Sequence, residues 1–164
     1  MNTALFINGI YEGVLGEILK AQSEIEGKVF FLQPYRGNVI RMLKSWAPST
    51  THPIRLYIST SDNLSNICYT AEIIGWEDKR YLSNERRKEV LAHLQNYQRG
   101  ECNLFEGIEE VGKKAINLIS IRNLRKLDTP RPTSLLRKKS DGQPLKERTR
   151  AGGWSEVYDP GTLL

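Results

Sequence analysis

The sequence predicts an α+β fold built on a small, mainly antiparallel sheet. Three observations lead there: about five short apolar or alternating segments, about three segments whose apolar residues recur at helical spacing, and a sharp change of composition after residue 127. A chain of 164 residues, 39% of them hydrophobic, is long enough for one domain with a real core and too short for two comfortable ones.

The elements follow in order. Ala4–Ile10 is a short apolar run and reads as the first strand. Tyr11–Ile25 sets Val14, Leu15, Ile18 and Leu19 at helical spacing, with Gly27 as a C-terminal stop. KVFFLQ, residues 28–33, is continuously apolar and closed by Pro34, as a buried strand would be. Gly37–Trp46 places Val39, Ile40, Leu43 and Trp46 on one helical face and Arg36, Arg41 and Lys44 on the other. The Pro-Ser-Thr-Thr-His-Pro stretch at 48–53 is a loop by composition. IRLYIST (54–60) and ICYTAEIIGW (67–76) both alternate apolar and polar residues, and the SDNLSN between them is a hairpin connection. Ser83–Gln98 is a charge-laced helix with Ser83 as N-cap and Val90, Leu91, Leu94 and Tyr97 on its buried face. AINLISIRNL, residues 115–124, is the last convincing strand.

Positive charge is concentrated late in the chain. The formal net charge is +5, yet residues 1–124 are nearly balanced, whereas residues 125–150 hold nine basic side chains against three acidic ones. From Asp128 onward the segments TPRPTS, RKKSDGQP and RTRAGG carry no sustained apolar period. The expected division is a folded domain at 1–127 and an extended or conditionally ordered basic tail at 128–164. Trp154, Val157 and Tyr158 interrupt that tail as an anchor for the parent domain or for a protein partner.

Several function classes lack their ingredients. No apolar run approaches the roughly 18 residues of a membrane span. The N-terminus has neither a basic n-region nor a small-residue cleavage site, so the expected location is cytoplasmic. Cys68 and Cys102 form no CxxC pair, which fits a reducing compartment and excludes a cysteine-rich zinc module. His52 and His93 sit in no metal-binding motif, and no glycine-rich phosphate loop is present, so no cofactor or metal is expected. Glu72 with Glu77, Asp78 and Lys79 is the most suggestive acidic cluster, and a nuclease or nucleotide hydrolase could use carboxylates beside a lysine. Three consecutive charges after a strand are more simply a solvated turn.

Binding features are stronger. Flat side chains stack on bases while basic groups meet phosphates. The chain offers Tyr35-Arg36, Trp46, Tyr57 with Ser59 and Thr60, Tyr69, and Trp76 with Lys79-Arg80-Tyr81. The tail adds Arg137, Lys138 and Lys139 as further phosphate contacts.

Taken together, LQPYRGNVIRMLKSW, IRLYIST and YTAEIIGWEDK resemble the PUA-like superfamily, particularly its ASCH and EVE branches, over about residues 28–124. The resemblance implies a small β-barrel flanked by helices, with a cleft for a nucleotide or a flipped base. EVE-like domains resemble modified-base readers, several of them in bacterial restriction systems. On that likeness Tyr57, Ser59 and Thr60 end the cleft-lining strand, Trp76 stands on its neighbour, and Tyr35 and Trp46 form the opposite wall. The opening differs, since ALFINGI and a full helix stand where EVE domains carry a Tyr-Trp strand. The expected function is nucleic-acid binding, DNA or RNA, with Arg36, Lys79 and Arg80 near the phosphates. A hydrolase and a protein-binding adaptor acting through the tail are the alternatives.

Overall fold

A computed structural model describes residues 2–34, 39–106, 116–147 and 153–161. The elements are β1 (Thr3–Ile10), α1 (Glu12–Glu24), β2 (Phe30–Leu32), α2 (Ile40–Trp46), β3 (Ile54–Thr60), β4 (Asn66–Asp78), α3 (Asn84–Tyr97), α4 (Arg99–Glu106), β5 (Asn117–Pro132) and β6 (Trp154–Tyr158), with single 3-10 turns at Lys79–Tyr81 and Thr133–Leu135. The α+β class is as expected. Among the described residues, six strands join one sheet in the order β2-β5-β4-β3-β1-β6, in which β1 and β3 run parallel and the other neighbours antiparallel.

The sheet is open. Strands β2 and β6 are its two edges and do not pair with each other, so the barrel implied by the PUA-like resemblance is not formed among the described residues. The β2 edge is blunted by a side chain: Phe31 N donates to Gln98 Oε1 at 3.0 Å, and Gln98 Nε2 donates to Phe31 O at 2.7 Å. One glutamine thus satisfies both backbone groups that an extra strand would otherwise take.

Strand alternation sorts the core into clusters. Leu5 and Ile7 of β1 enter the main cluster with Leu56, Ile58, Ala71, Ile73, Ile119 and Ile121, packed against Leu15 and Ile18 of α1 and Leu43 of α2. Ala4 and Phe6, on the other face of β1, join Tyr57, Ile67, Leu136, Leu145 and Val157. A third cluster sets Phe31 and Leu118 against Val90 and Leu94 of α3 and Phe105 of α4. Ser83 is the N-cap of α3, its Oγ accepting from Arg86 N at 3.1 Å.

The boundary at residue 127 does not fall at an element end. Strand β5 runs on to Pro132, Leu136 and Leu145 are buried in the second cluster, and β6 pairs antiparallel with β1. Three isolated apolar residues carry too little period to announce this in sequence, but each joins the cluster that Ala4 and Phe6 of β1 and Tyr57 of β3 begin. The anchor around Trp154, Val157 and Tyr158 docks on the parent domain. Helix α4 also adds to the expected three, and β6 to the expected five strands.

Candidate functional site

The C-terminal end of β4 brings an aromatic and basic group of side chains to the surface. Trp76 is half-buried and packs on the rim of the main core. Glu77, next in the strand, accepts two hydrogen bonds from Arg86 of α3, both 2.8 Å. Asp78 ends the strand and caps the following turn, accepting from Arg80 N at 3.0 Å and from the Arg80 guanidinium at 2.8 Å. The Arg80 hydrogen bond first, with the charge of Lys44 adding, holds the Asp78 carboxyl below its ordinary range.

That turn has opposite effects on its two ends. Lys79 swings inward and is fully buried, whereas Tyr81 is thrown outward and 78% exposed. The Arg80 guanidinium lies 5.2 Å from the Tyr81 ring centre, a cation–π distance. Between this turn and α2 is a cavity of about 510 Å³, lined by Trp76, Asp78 and Tyr81 on one side and Ile40 and Lys44 on the other. Lys44 makes no ion pair or hydrogen bond among the described residues, so its ammonium is available to a ligand.

A second cavity of about 510 Å³ shares Arg86 with the first as a lining residue. Gly75 and Ser120 line it from the sheet, and Lys28, Glu89 and His93 add polar groups. Burial lowers the His93 pKa, favouring the neutral ring, which tilts against Phe30, Phe31 and Tyr97 at 5.1–5.5 Å.

Lys79 belongs to a closed polar cluster and is not a phosphate ligand in this arrangement. Its Nζ donates to Gln33 Oε1 at 2.7 Å and to Leu104 O at 3.1 Å, while Gln33 Nε2 donates to Glu101 Oε2 at 2.9 Å. Burial pushes Lys79 down to about 8 and Glu101 up to about 7.

The other expected site residues are dispersed. Tyr57, Ser59 and Thr60 point inward: Tyr57 OH donates to Asp159 Oδ1, Ser59 Oγ to Asn8 Oδ1 at 2.8 Å, and Thr60 Oγ1 lies 3.9 Å from Cys68 Sγ. They tie strands together where a cleft wall was expected, because β3 is covered on both faces. Trp46 closes α2 against the main core and lines neither cavity. Tyr35 and Arg36 lie outside the described residues. Arg137 and Lys138 bond within their own turn, to Gly142 O at 3.2 Å and to Asp141 at 3.1 Å, and Lys139 Nζ donates to Thr3 Oγ1 at 2.6 Å. Of the expected base-binding residues, Trp76 lines a cavity, and Arg80 stands on the turn that follows its strand.

The acidic cluster is likewise divided. Glu72 pairs with Arg122, Glu77 with Arg86 and Asp78 with Arg80. No group of three His, Cys, Asp or Glu side chains converges among the described residues. Sequence reasoning missed Lys44 and Arg86 as parts of the site, since a helix-face cation looks the same whether it borders a cavity or bulk water. Tyr81 had a signal, its place in the aromatic-basic run after Trp76.

No protein-family model, curated protein or solved structure matches this chain. No helix among the described residues is long and apolar enough to cross a membrane.

Proposed function

We propose that the protein is a nucleic-acid-binding module that stacks an unpaired or flipped base against Tyr81 and Trp76 at the end of β4. The observation that carries this reading is Tyr81: a large ring 78% exposed, with Arg80 over it, beside a cavity edged by a second aromatic and by Lys44. An exposed aromatic with cations around it suits a base and its phosphate. Lys44 and Arg80 would meet the backbone, and selectivity for a modified base would come from edge contacts inside the cavity. Kinship with PUA-like domains is part of this reading, carried by the β3–β4 strand pair and its IRLYIST and YTAEIIGWEDK sequences.

The test is a fluorescence-anisotropy titration of the full chain with matched oligonucleotides, with and without modified cytosine. Tyr81→Ala should weaken binding by about 1–3 kcal/mol, the usual contribution of one stacked base, with an unchanged melting temperature. An affinity indifferent to Tyr81 would reject the assignment.

A further inference from the structure

The second cavity lies on the other side of the sheet from Trp76, since Gly75 and Trp76 are consecutive in β4 and face opposite ways. One rung of the sheet, Gly75, Ser120 and Phe31, lines it across β4, β5 and β2. Opposite stands the face of α3 that carries Arg86, Glu89 and His93 at helical spacing. Lys28, just ahead of the edge strand β2, lines it as well.

Three polar groups of this cavity lack a partner. The first follows from Gln98, whose Oε1 accepts from Phe31 N while its Nε2 donates to Phe31 O, so the amide has one orientation. His93 Nε2, 3.2 Å from that Oε1, must then carry the ring proton. Burial, reinforced by the charges of Lys28 and Arg86, outweighs the Gln98 hydrogen bond and keeps the ring neutral. His93 Nδ1 is therefore a bare acceptor with no hydrogen-bond partner among the described residues. The Ser120 hydroxyl has none either. The Lys28 ammonium makes no ion pair there and rests 4.9 Å from the Tyr97 ring centre.

Gly75 makes room above the sheet. Its φ is not positive, and a Cβ there would meet only Ser120, at an ordinary 3.7 Å, so neither backbone nor packing calls for glycine. The register shift that ends at Gly75 requires one only where φ is positive. Glycine inside a strand costs stability, and it marks places where a ligand comes close to the backbone.

We propose that this cavity is a site for a free nucleoside monophosphate, with its base flat over Gly75 and Ser120, a sugar hydroxyl donating to His93 Nδ1 and its phosphate at Lys28. The inference does not rest on the nucleic-acid reading of the Tyr81 site. The size agrees: about 510 Å³ is ordinary for a small-molecule site, and three strands about 4.8 Å apart give a floor about 10 Å long. The charge agrees too. Arg86 is already forked onto Glu77 and Glu89, which leaves Lys28 for one phosphate and no surplus for a polynucleotide. Ser120 can both donate and accept, so it suits the edge of a purine or a pyrimidine.

The experiment follows the His93 ring nitrogens of the full chain by NMR during titration with adenosine and uridine monophosphates, the two nucleosides, and ribose phosphate. Both nucleotides should move the Nδ1 resonance to saturation, with the nucleosides and ribose phosphate binding about tenfold more weakly or worse. Lys28→Ala, at an exposed position, should bring the nucleotides down to the affinity of the nucleosides. Gly75→Val, whose methyl groups fill the floor, should abolish the response. Its melting temperature checks the fold, and Lys28→Ala carries the test should that temperature fall. No response at His93, a response untouched by Lys28→Ala or by a folded Gly75→Val, or ribose phosphate binding as tightly as the nucleotides overturns the site. Tyr81→Ala should leave the response unchanged; a response that it abolishes would put the nucleotide at the stacking site and overturn this one.

Discussion

Tyr57 OH donates a 2.5 Å hydrogen bond to Asp159 Oδ1, joining the middle of β3 to a residue 102 positions later. The same carboxyl accepts from Gly161 N at 2.9 Å and faces Arg55 at 3.7 Å, while Asp159 N donates to Asn2 O. Asp159 therefore clasps the chain's last described residues to β3 through its side chain and to Asn2, just before β1, through its backbone. Burial and this carboxylate together raise the Tyr57 pKa well above its ordinary value, so the phenol stays protonated.

Tyr57→Phe should consequently lower stability by about 1.5–3 kcal/mol, the range for a hydrogen bond to a charged acceptor. Urea denaturation checks this. Oligonucleotide affinity should be unchanged, because the ring lines neither cavity.

Truncation after Leu127 should abolish cooperative unfolding. It cuts β5, removes β6 and Asp159, and uncovers Ala4, Phe6, Tyr57 and Ile67. The milder Leu136→Ala should cost about 2–5 kcal/mol, as large-to-small changes in a packed core do. A truncated chain that melts as sharply as the full one would contradict the docking of this segment.

Gln98→Ala should cost more than an ordinary surface change, about 2 kcal/mol or more, because the buried Phe31 N–H and C=O lose their partner together. Loss of the edge block also predicts concentration-dependent association. Chemical denaturation and light scattering measure the two effects.

The Lys79–Gln33–Glu101 cluster predicts a pH profile with a shallow minimum near neutrality. Between the ordinary carboxyl value of 4.5 and about 7, the folded chain keeps a proton on Glu101 that the unfolded chain has released. Stability therefore falls as pH rises through that window. Between about 8 and 10.5 the unfolded chain keeps a proton on Lys79 that the folded chain has lost, so stability rises again. Urea midpoints from pH 5 to 10 should show both limbs. Glu101→Gln should flatten the acid limb, and Lys79→Met the alkaline one.

Residue patterns alone determined the class of the fold and most of its elements. The apolar run at Ala4–Ile10, the alternation in 54–60 and 67–76, and the Ser83 cap are local signals, and local backbone preference is enough to read them. The aromatic-basic run from Trp76 to Tyr81 was legible as well, since it is contiguous. What only the tertiary structure decided was direction and partnership. Tyr57 and Tyr81 are alike in sequence, yet one is covered on both faces of its strand and the other stands on a one-turn helix that points it into water. Lys79 and Arg80 are neighbours of like charge, but the same turn sends one into a polar cluster formed by Gln33 and Leu104 and leaves the other at the surface. The fate of 128–164 was similarly hidden: Leu136, Leu145 and Val157 become core because β1 and β3 present an uncovered face, and burial depends on the surface a residue meets as much as on its own chemistry.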